Sequence, residues 1–255
     1  VPLALVLVLA AIARASSNVP PEYLEPRLSF AAPSLAHPLG CGEAGVDLLR
    51  VVASAALSGI ALACVVALVG FGIGAPLGAA AAMARGRTER AVARACDLVQ
   101  AFPSFLLAMA VLSAVRAPSR VHLGVVFALT AWAPFARLAL AETRVLRGAG
   151  FVEAARALGL GWPRILVRHV LPNLLPVLGV QLGATGAALV VSEAALSFVG
   201  LGPRGASLGG VLDQGVASML RAPHVLCVGA LSVIVASASL LVAGRAVGPR
   251  SRRSR

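Results

Sequence analysis

Apolar runs recur along this chain at lengths that approach or exceed a bilayer crossing, and no other feature narrows its fold so far. A hydrocarbon core about 30 Å thick needs roughly 20 helical residues at 1.5 Å rise each. Six runs read as spans: Val1–Ala13, Leu48–Ala84, Ala95–Val115, Val121–Leu140, Leu174–Val199 and Val225–Val247. Composition agrees, with 59% hydrophobic and only 13% charged residues and a mean hydropathy of +0.91, where soluble domains carry about 25% charged residues. This much apolar surface exceeds what one water-facing core can hide, which excludes a soluble globule and a disordered chain alike. The expected fold class is all-α: a polytopic membrane protein of about six transmembrane helices.

Val1–Ala13 is short for a crossing and opens without a charged flank, so it reads as a first, truncated transmembrane helix. A cleaved signal peptide is the rival, because Ala13-Arg14-Ala15 has the small-x-small form of a cleavage site, although no basic segment precedes it. Residues 14–47 carry Pro20, Pro21, Pro26, Pro33 and Pro38 and read as an extended external loop, followed by a five-helix core over 48–255. Leu48–Ala84 would be about 55 Å long as one helix, so its first turns are expected at the interface. Its run from Gly70 to Gly78, with Gly70, Gly72, Gly74, Ala75 and Gly78, supplies small residues for close approach of a neighbouring helix, with Pro76 expected to kink it. Pro103 and Pro134 are expected to bend two further spans, as happens where neighbours or a cavity re-satisfy freed carbonyls.

The formal net charge is +12, and all 22 basic residues are arginine. Without lysine the chain has no P-loop lysine for ATP phosphates. The arginines sit in short gaps between apolar runs rather than on one polar face, so nucleic acid is not needed to explain them. They do divide by side. Arg85, Arg87, Arg90, Arg94, Arg137, Arg144, Arg147, Arg156, Arg164, Arg168, Arg245, Arg250, Arg252, Arg253 and Arg255 make fifteen on one side, against seven on the other. By the positive-inside rule the first side is cytoplasmic, and both termini with it. Cys41, Cys64, Cys96 and Cys227 are widely spaced, and His37, His122, His169 and His224 include no metal-binding pair, so no metal site is expected.

Between the fourth and fifth spans lies a segment of about thirty residues, 144–173, with helical grammar. Glu153 falls near the start of a Phe151–Leu158 helix, where the macrodipole favours an acid, and Gly159 can close it in a left-handed cap. Gly161 and Pro163 then suit the opening of a second helix. Two short helices at an angle, with small residues Ala154 and Ala155, make a knob that could fit a partner's groove. The same residues also suit an amphipathic helix lying among lipid headgroups.

These residues resemble a family. Glu153-Ala154-Ala155, then Gly159, Ile165 and Leu171-Pro172 look like the EAA loop of ABC importer permeases. The longer string from Phe151 to Pro176 is similar to the dipeptide, oligopeptide and nickel class, in particular its second permease subunit. Glu193 to Gly202, Trp132 to Arg137 and the Ala101-Phe102-Pro103 step look like that class too, whereas Cys41–Asp47 and Pro203–Gly210 depart from it. The resemblance implies a type I importer permease (MetI-like) bundle in the bacterial inner membrane. It would form the translocation pathway, with EAA-loop residues Glu153, Ala154, Ala155, Gly159, Ile165, Leu171 and Pro172 coupling it to a separate ATPase. Implied partners are P-loop ATPase subunits, a second permease subunit in a heterodimer, an extracytoplasmic solute-binding protein and membrane lipid. No cofactor is implied, and ATP hydrolysis would belong to the ATPase partner. The solute would be a dipeptide or oligopeptide, with nickel or another small solute as the alternative.

Charged groups at membrane depth are functional candidates by default. Asp97 beside Arg94 reads as a paired or interfacial carboxylate and Glu142 as a surface group, while Glu193, with Gly200 and Gly202, is the candidate for gating or the pathway. A stand-alone channel or secondary transporter would need coupling-ion residues that the sparse buried charges do not supply. An intramembrane serine protease on Ser104, Ser192 or Ser197 would need a general base, and no histidine sits in the interior of an apolar span, His122 being at the very start of one.

Overall fold

A computed structural model describes residues 23–203 and 205–247 of the chain. The order of helices is α1 (Leu48–Ala84), α2 (Gly86–Ala101), α3 (Ser104–Ser113), α4 (Arg120–Leu146), α5 (Gly150–Ala157), α6 (Trp162–Ile165), α7 (Leu171–Phe198), α8 (Leu208–Ala217) and α9 (Pro223–Val247). A π-helical turn, Leu166–Val170, carries α6 directly into α7. Among the described residues four helices are long and apolar enough to cross a membrane: α1, α4, the continuous α6–α7 helix and α9. The α2–α3 pair makes a fifth if it is counted as one broken span. The expected first span, Val1–Ala13, lies outside the described residues.

The third expected span is the one most changed. Instead of one helix over 95–115, the chain turns through 63° between α2 and α3 at Phe102 and Pro103. Proline lacks the N–H that would continue the ladder and biases the preceding residue to extended backbone, and Phe102 is indeed extended at φ −93° and ψ 123°. Helix α2 also begins at Gly86, so Arg87, Arg90 and Arg94 lie on a helix and not in a loop. Pro76 and Pro134, by contrast, sit within uninterrupted helices.

Small residues set how closely these helices pack. Gly70, Gly74 and Gly78 recur every four residues and so share one face of α1. A Cβ at Gly74 would lie 2.2 Å from the Trp132 carbonyl oxygen, and one at Gly78 would lie 2.0 Å from that of Ala136. The α1 and α4 backbones therefore touch. The same device joins α7 to α9, where a Cβ at Gly183 would meet the Leu240 carbonyl at 2.6 Å. Between helices in lipid, such contact replaces the hydrophobic drive that water would supply.

The bundle has two distinct ends. At one, Leu48 packs with Val211, Ala222 and Val225, and Phe30 and Leu39 lie over them. The stretch from Phe30 to Asp47 is docked on this end of the bundle: Asp47 caps α1 through Leu49 N–H and bonds His37 at 3.0 Å. Helix α8, which carries Val211, belongs to this end. At the other end, Met83 of α1 joins Val152, Ala155, Ile165 and Leu166 in a single core.

Candidate functional site

Two features stand out: the α5–α6 projection at the Ala84 end, and a cavity at the α2–α3 break. Helix α5 buries Val152 and Ala155 against α1 and α4, and α6 buries Ile165 beside them. The opposite faces are bare. Leu158 is 82% exposed and Trp162 51%, and Phe151, Glu153 and Ala154 are exposed with them. Arg156, Arg164 and Arg168 ring this patch and make no salt bridge among the described residues.

The corner between the helices is set by Gly159, whose φ of +79° is the left-handed value a glycine adopts without penalty. Its N–H donates to Arg156 O and the Leu160 N–H to Ala155 O at 3.1 Å, closing α5 in a Schellman-type cap. Gly161 is the N-cap of α6, with Pro163 in its first turn. The motif residues consequently divide by role. Ala155 and Ile165 root the projection, Leu171 is half-buried, and Glu153, Ala154, Gly159 and Pro172 face outward.

Beneath the projection is a clamp that the sequence reading missed. Glu89, in the first turn of α2, accepts from Arg144 Nε at 2.5 Å and from Arg147 Nη1 at 3.2 Å, and Arg147 also donates to the Ala82 carbonyl at 2.8 Å. Hydrogen bonds from Arg144, aided by Arg147, hold the Glu89 carboxyl below its ordinary value against the opposing effect of burial. Asp97, which read as a paired or interfacial carboxylate, pairs with Arg137, across from α2 to α4.

The cavity, of about 390 Å³, lies among α2, α3, α4 and α7. Its polar lining is Gln100, Ser104, Thr130, Gln181, Thr185 and Ser192. Gln181 Nε2 donates to Thr185 Oγ1 at 3.1 Å, and Thr130 Oγ1 to the Phe127 carbonyl. Of the three serines weighed as nucleophiles, Ser104 and Ser192 line this cavity, while Ser197 is buried elsewhere beside Glu193. None of these serines has a histidine partner among the described hydrogen bonds. The amides escaped the sequence reading, although a Gln and a Thr four residues apart in an apolar helix were a usable signal.

Glu193 is 8% exposed and lies against α1, where a Cβ at Gly59 would come within 2.8 Å of its Oε2. Gly200, at φ +78°, ends α7, and a Cβ at Gly202 would strike Ser197 Oγ at 2.1 Å. None of these three residues lines the cavity, although Glu193 adjoins Ser192, which does.

Comparison with known proteins adds to this geometry. The family described as binding-protein-dependent transport system inner membrane component matches residues 74–253. A glutathione transport system permease protein of Pectobacterium atrosepticum is 33% identical over 205 residues, covering 80% of this chain and 68% of that one. A putative peptide transport system permease protein of Brucella suis is 39% identical over 219 residues, covering 84% and 72% respectively. A glutathione permease protein of Escherichia coli is 33% identical, over 80% of this chain and 67% of its own.

Proposed function

Because this chain belongs to the binding-protein-dependent transport inner membrane components, we propose that it is one of two permease subunits of an ATP-driven importer of peptides. The observation that carries this reading is the α5–α6 projection. It is rooted in the bundle core by Val152, Ala155 and Ile165 and presents Phe151, Leu158 and Trp162 outward. Apolar and aromatic side chains ringed by arginines have the make-up of an interface centre with a charged rim. The occupant we assign is a P-loop ATPase, consistent with a chain that has no lysine of its own for ATP phosphates.

In this reading the Ala84 end is cytoplasmic. That end carries Arg85, Arg87, Arg90, Arg144 and Arg147 as well as the projection, in keeping with the positive-inside rule. Closure of two ATPases on ATP would draw the paired projections together. Since each projection shares one core with the ends of α1, α4 and α7, that movement passes to the bundle as rigid-body rocking. A solute-binding protein would deliver peptide at the Leu48 end.

The test is recovery of the tagged chain from its native membrane in mild detergent, beside a Gly159→Leu variant. A Cβ at Gly159 meets nothing within 4 Å, so the bundle keeps its packing, while a leucine at φ +79° strains the corner by about 1–2 kcal/mol. A P-loop ATPase and a second permease should accompany the native chain, and the variant should lose the ATPase. Recovery of the native chain alone, under conditions that keep known importers whole, would refute the proposal.

A further inference from the structure

The cavity at the α2–α3 break carries an inference that rests on the permease reading and goes beyond it. Thr130 lies about 15 Å along α4, and Gln181 is the twentieth of the 37 residues of the continuous α6–α7 helix, which puts both near the middle of helices that cross a core about 30 Å thick. At that depth the break leaves the last-turn carbonyls of α2 without intrahelical donors. Irregular backbone within a membrane persists only where protein or water satisfies it. Gln100, Phe102, Pro103 and Ser104 at the break are exposed, so the cavity is open sideways.

Its chemistry is uniform. All six polar side chains that line it are amides or hydroxyls, and among the described residues no carboxylate, guanidinium, imidazole or thiol does so. Amides and hydroxyls offer donors and acceptors together, which matches the alternating N–H and C=O groups of an extended peptide. They offer neither the imidazole nor the thiolate ligands that suit a transition metal such as nickel. We propose that this cavity is the chain's half of the transport pathway, and that Gln100, Gln181 and Thr185 conduct peptide by hydrogen-bonding its backbone amides. Side-chain charge on the solute is not read at this wall.

The test uses the complete importer in proteoliposomes, with both permeases, the ATPases and the binding protein. The substrates are an alanine tripeptide and the same peptide methylated on its internal amide nitrogens. Gln181→Leu and, from a separate helix, Gln100→Leu are compared with the native complex. A site built to hydrogen-bond its ligand loses discrimination when its polar groups go. The expected result is uptake of the plain peptide reduced about fivefold to tenfold in each variant, little change for the methylated peptide, and unchanged stimulation of ATP hydrolysis by the binding protein. The stimulated hydrolysis reports folding and coupling, so a variant that merely misfolds is recognised, and the comparison of the two peptides on the native complex needs no variant. Equal native uptake of the two peptides, or full plain-peptide uptake in both variants, would overturn the cavity assignment alone. A native complex that assembles and hydrolyses ATP yet moves no peptide would overturn the proposed function with it.

Discussion

Arg147 at the end of α4 donates to Glu89 in the first turn of α2, Nη1 to Oε2, at 3.2 Å. The bond spans 58 positions of sequence and ties together two helices just three residues before α5 begins. Because Arg147 also holds the Ala82 carbonyl, it joins α1, α2 and α4 at the base of the projection.

Removing the acid should therefore loosen the whole corner. In Glu89→Ala, Arg144 and Arg147 lose their shared acceptor, and Arg147 is left partly buried without its carboxylate. Charge-assisted bonds of this kind are worth about 1.5–3 kcal/mol before exposure is discounted, and Arg144 is half-exposed, so a loss of about 1–2 kcal/mol is expected. Thermal unfolding in detergent measures it. Glu89→Gln, which keeps one acceptor oxygen, should fall between the variant and the native chain.

The same clamp gives a pH dependence of definite sign. Arg144 and Arg147 hold the folded-state pKa of Glu89 below its ordinary 4.5. A depressed acid stabilises the fold fully above its unfolded pKa and loses that contribution as pH falls through the folded one. Stability should be insensitive to this group at neutral pH and decline below about pH 4.5, and the decline should be shallower in Glu89→Gln. Unfolding midpoints over the acid range, native against variant, check the sign, and an identical acid profile in the two would contradict it.

Gly78 makes the sharpest prediction on packing. Its absent Cβ would stand 2.0 Å from the Ala136 carbonyl oxygen, and backbone on both sides cannot step aside as a flexible side chain would. Gly78→Val should force α1 and α4 apart, costing at least the 1–3 kcal/mol typical of overpacking. Gly72→Val, on the same helix but with nothing within 4 Å of its Cβ, is the control and should be nearly neutral. Yield of folded protein from detergent extracts distinguishes them.

What could be read from the sequence was what depends on local spacing. The small residues of the Gly70–Gly78 run marked a close helix contact, although not that Gly70, Gly74 and Gly78 would make it and Gly72 would not, and Gly159 between two helical runs has few conformations to choose from. Pro103 gave the break, although not its 63° angle, which depends on what α2 and α3 each pack against. Features that join distant segments were not legible. Glu89 looks like one more charge in an arginine-rich stretch until folding brings it to Arg144, and Asp97 passes over the neighbouring Arg94 for Arg137, forty residues away. Helix α8 was missed because ten residues are too few for a span and its place is fixed by contact: a Cβ at Gly209 would lie 2.0 Å from the Ala194 carbonyl.

Arg85 offers a substitution expected to stabilise. It joins α1 to α2 at φ +61° and ψ −178°, a region open almost solely to glycine, where another residue stores about 1–3 kcal/mol. Its side chain is exposed and makes no salt bridge among the described residues, so little is lost with it. Glycine would remove the strain but would also give the unfolded chain more freedom, which offsets up to about 1 kcal/mol. The following Gly86 is already at φ +63°, and two glycines in sequence enlarge that offset. The net expectation for Arg85→Gly is a gain of about 0.5–1.5 kcal/mol, seen as a higher unfolding midpoint in detergent. Arg85→Ala keeps the strain while removing the charge, so it should leave the midpoint near the native value. If the alanine variant gains as much as the glycine variant, repulsion among Arg85, Arg87 and Arg90 is the source of the gain, and backbone strain at the corner is not.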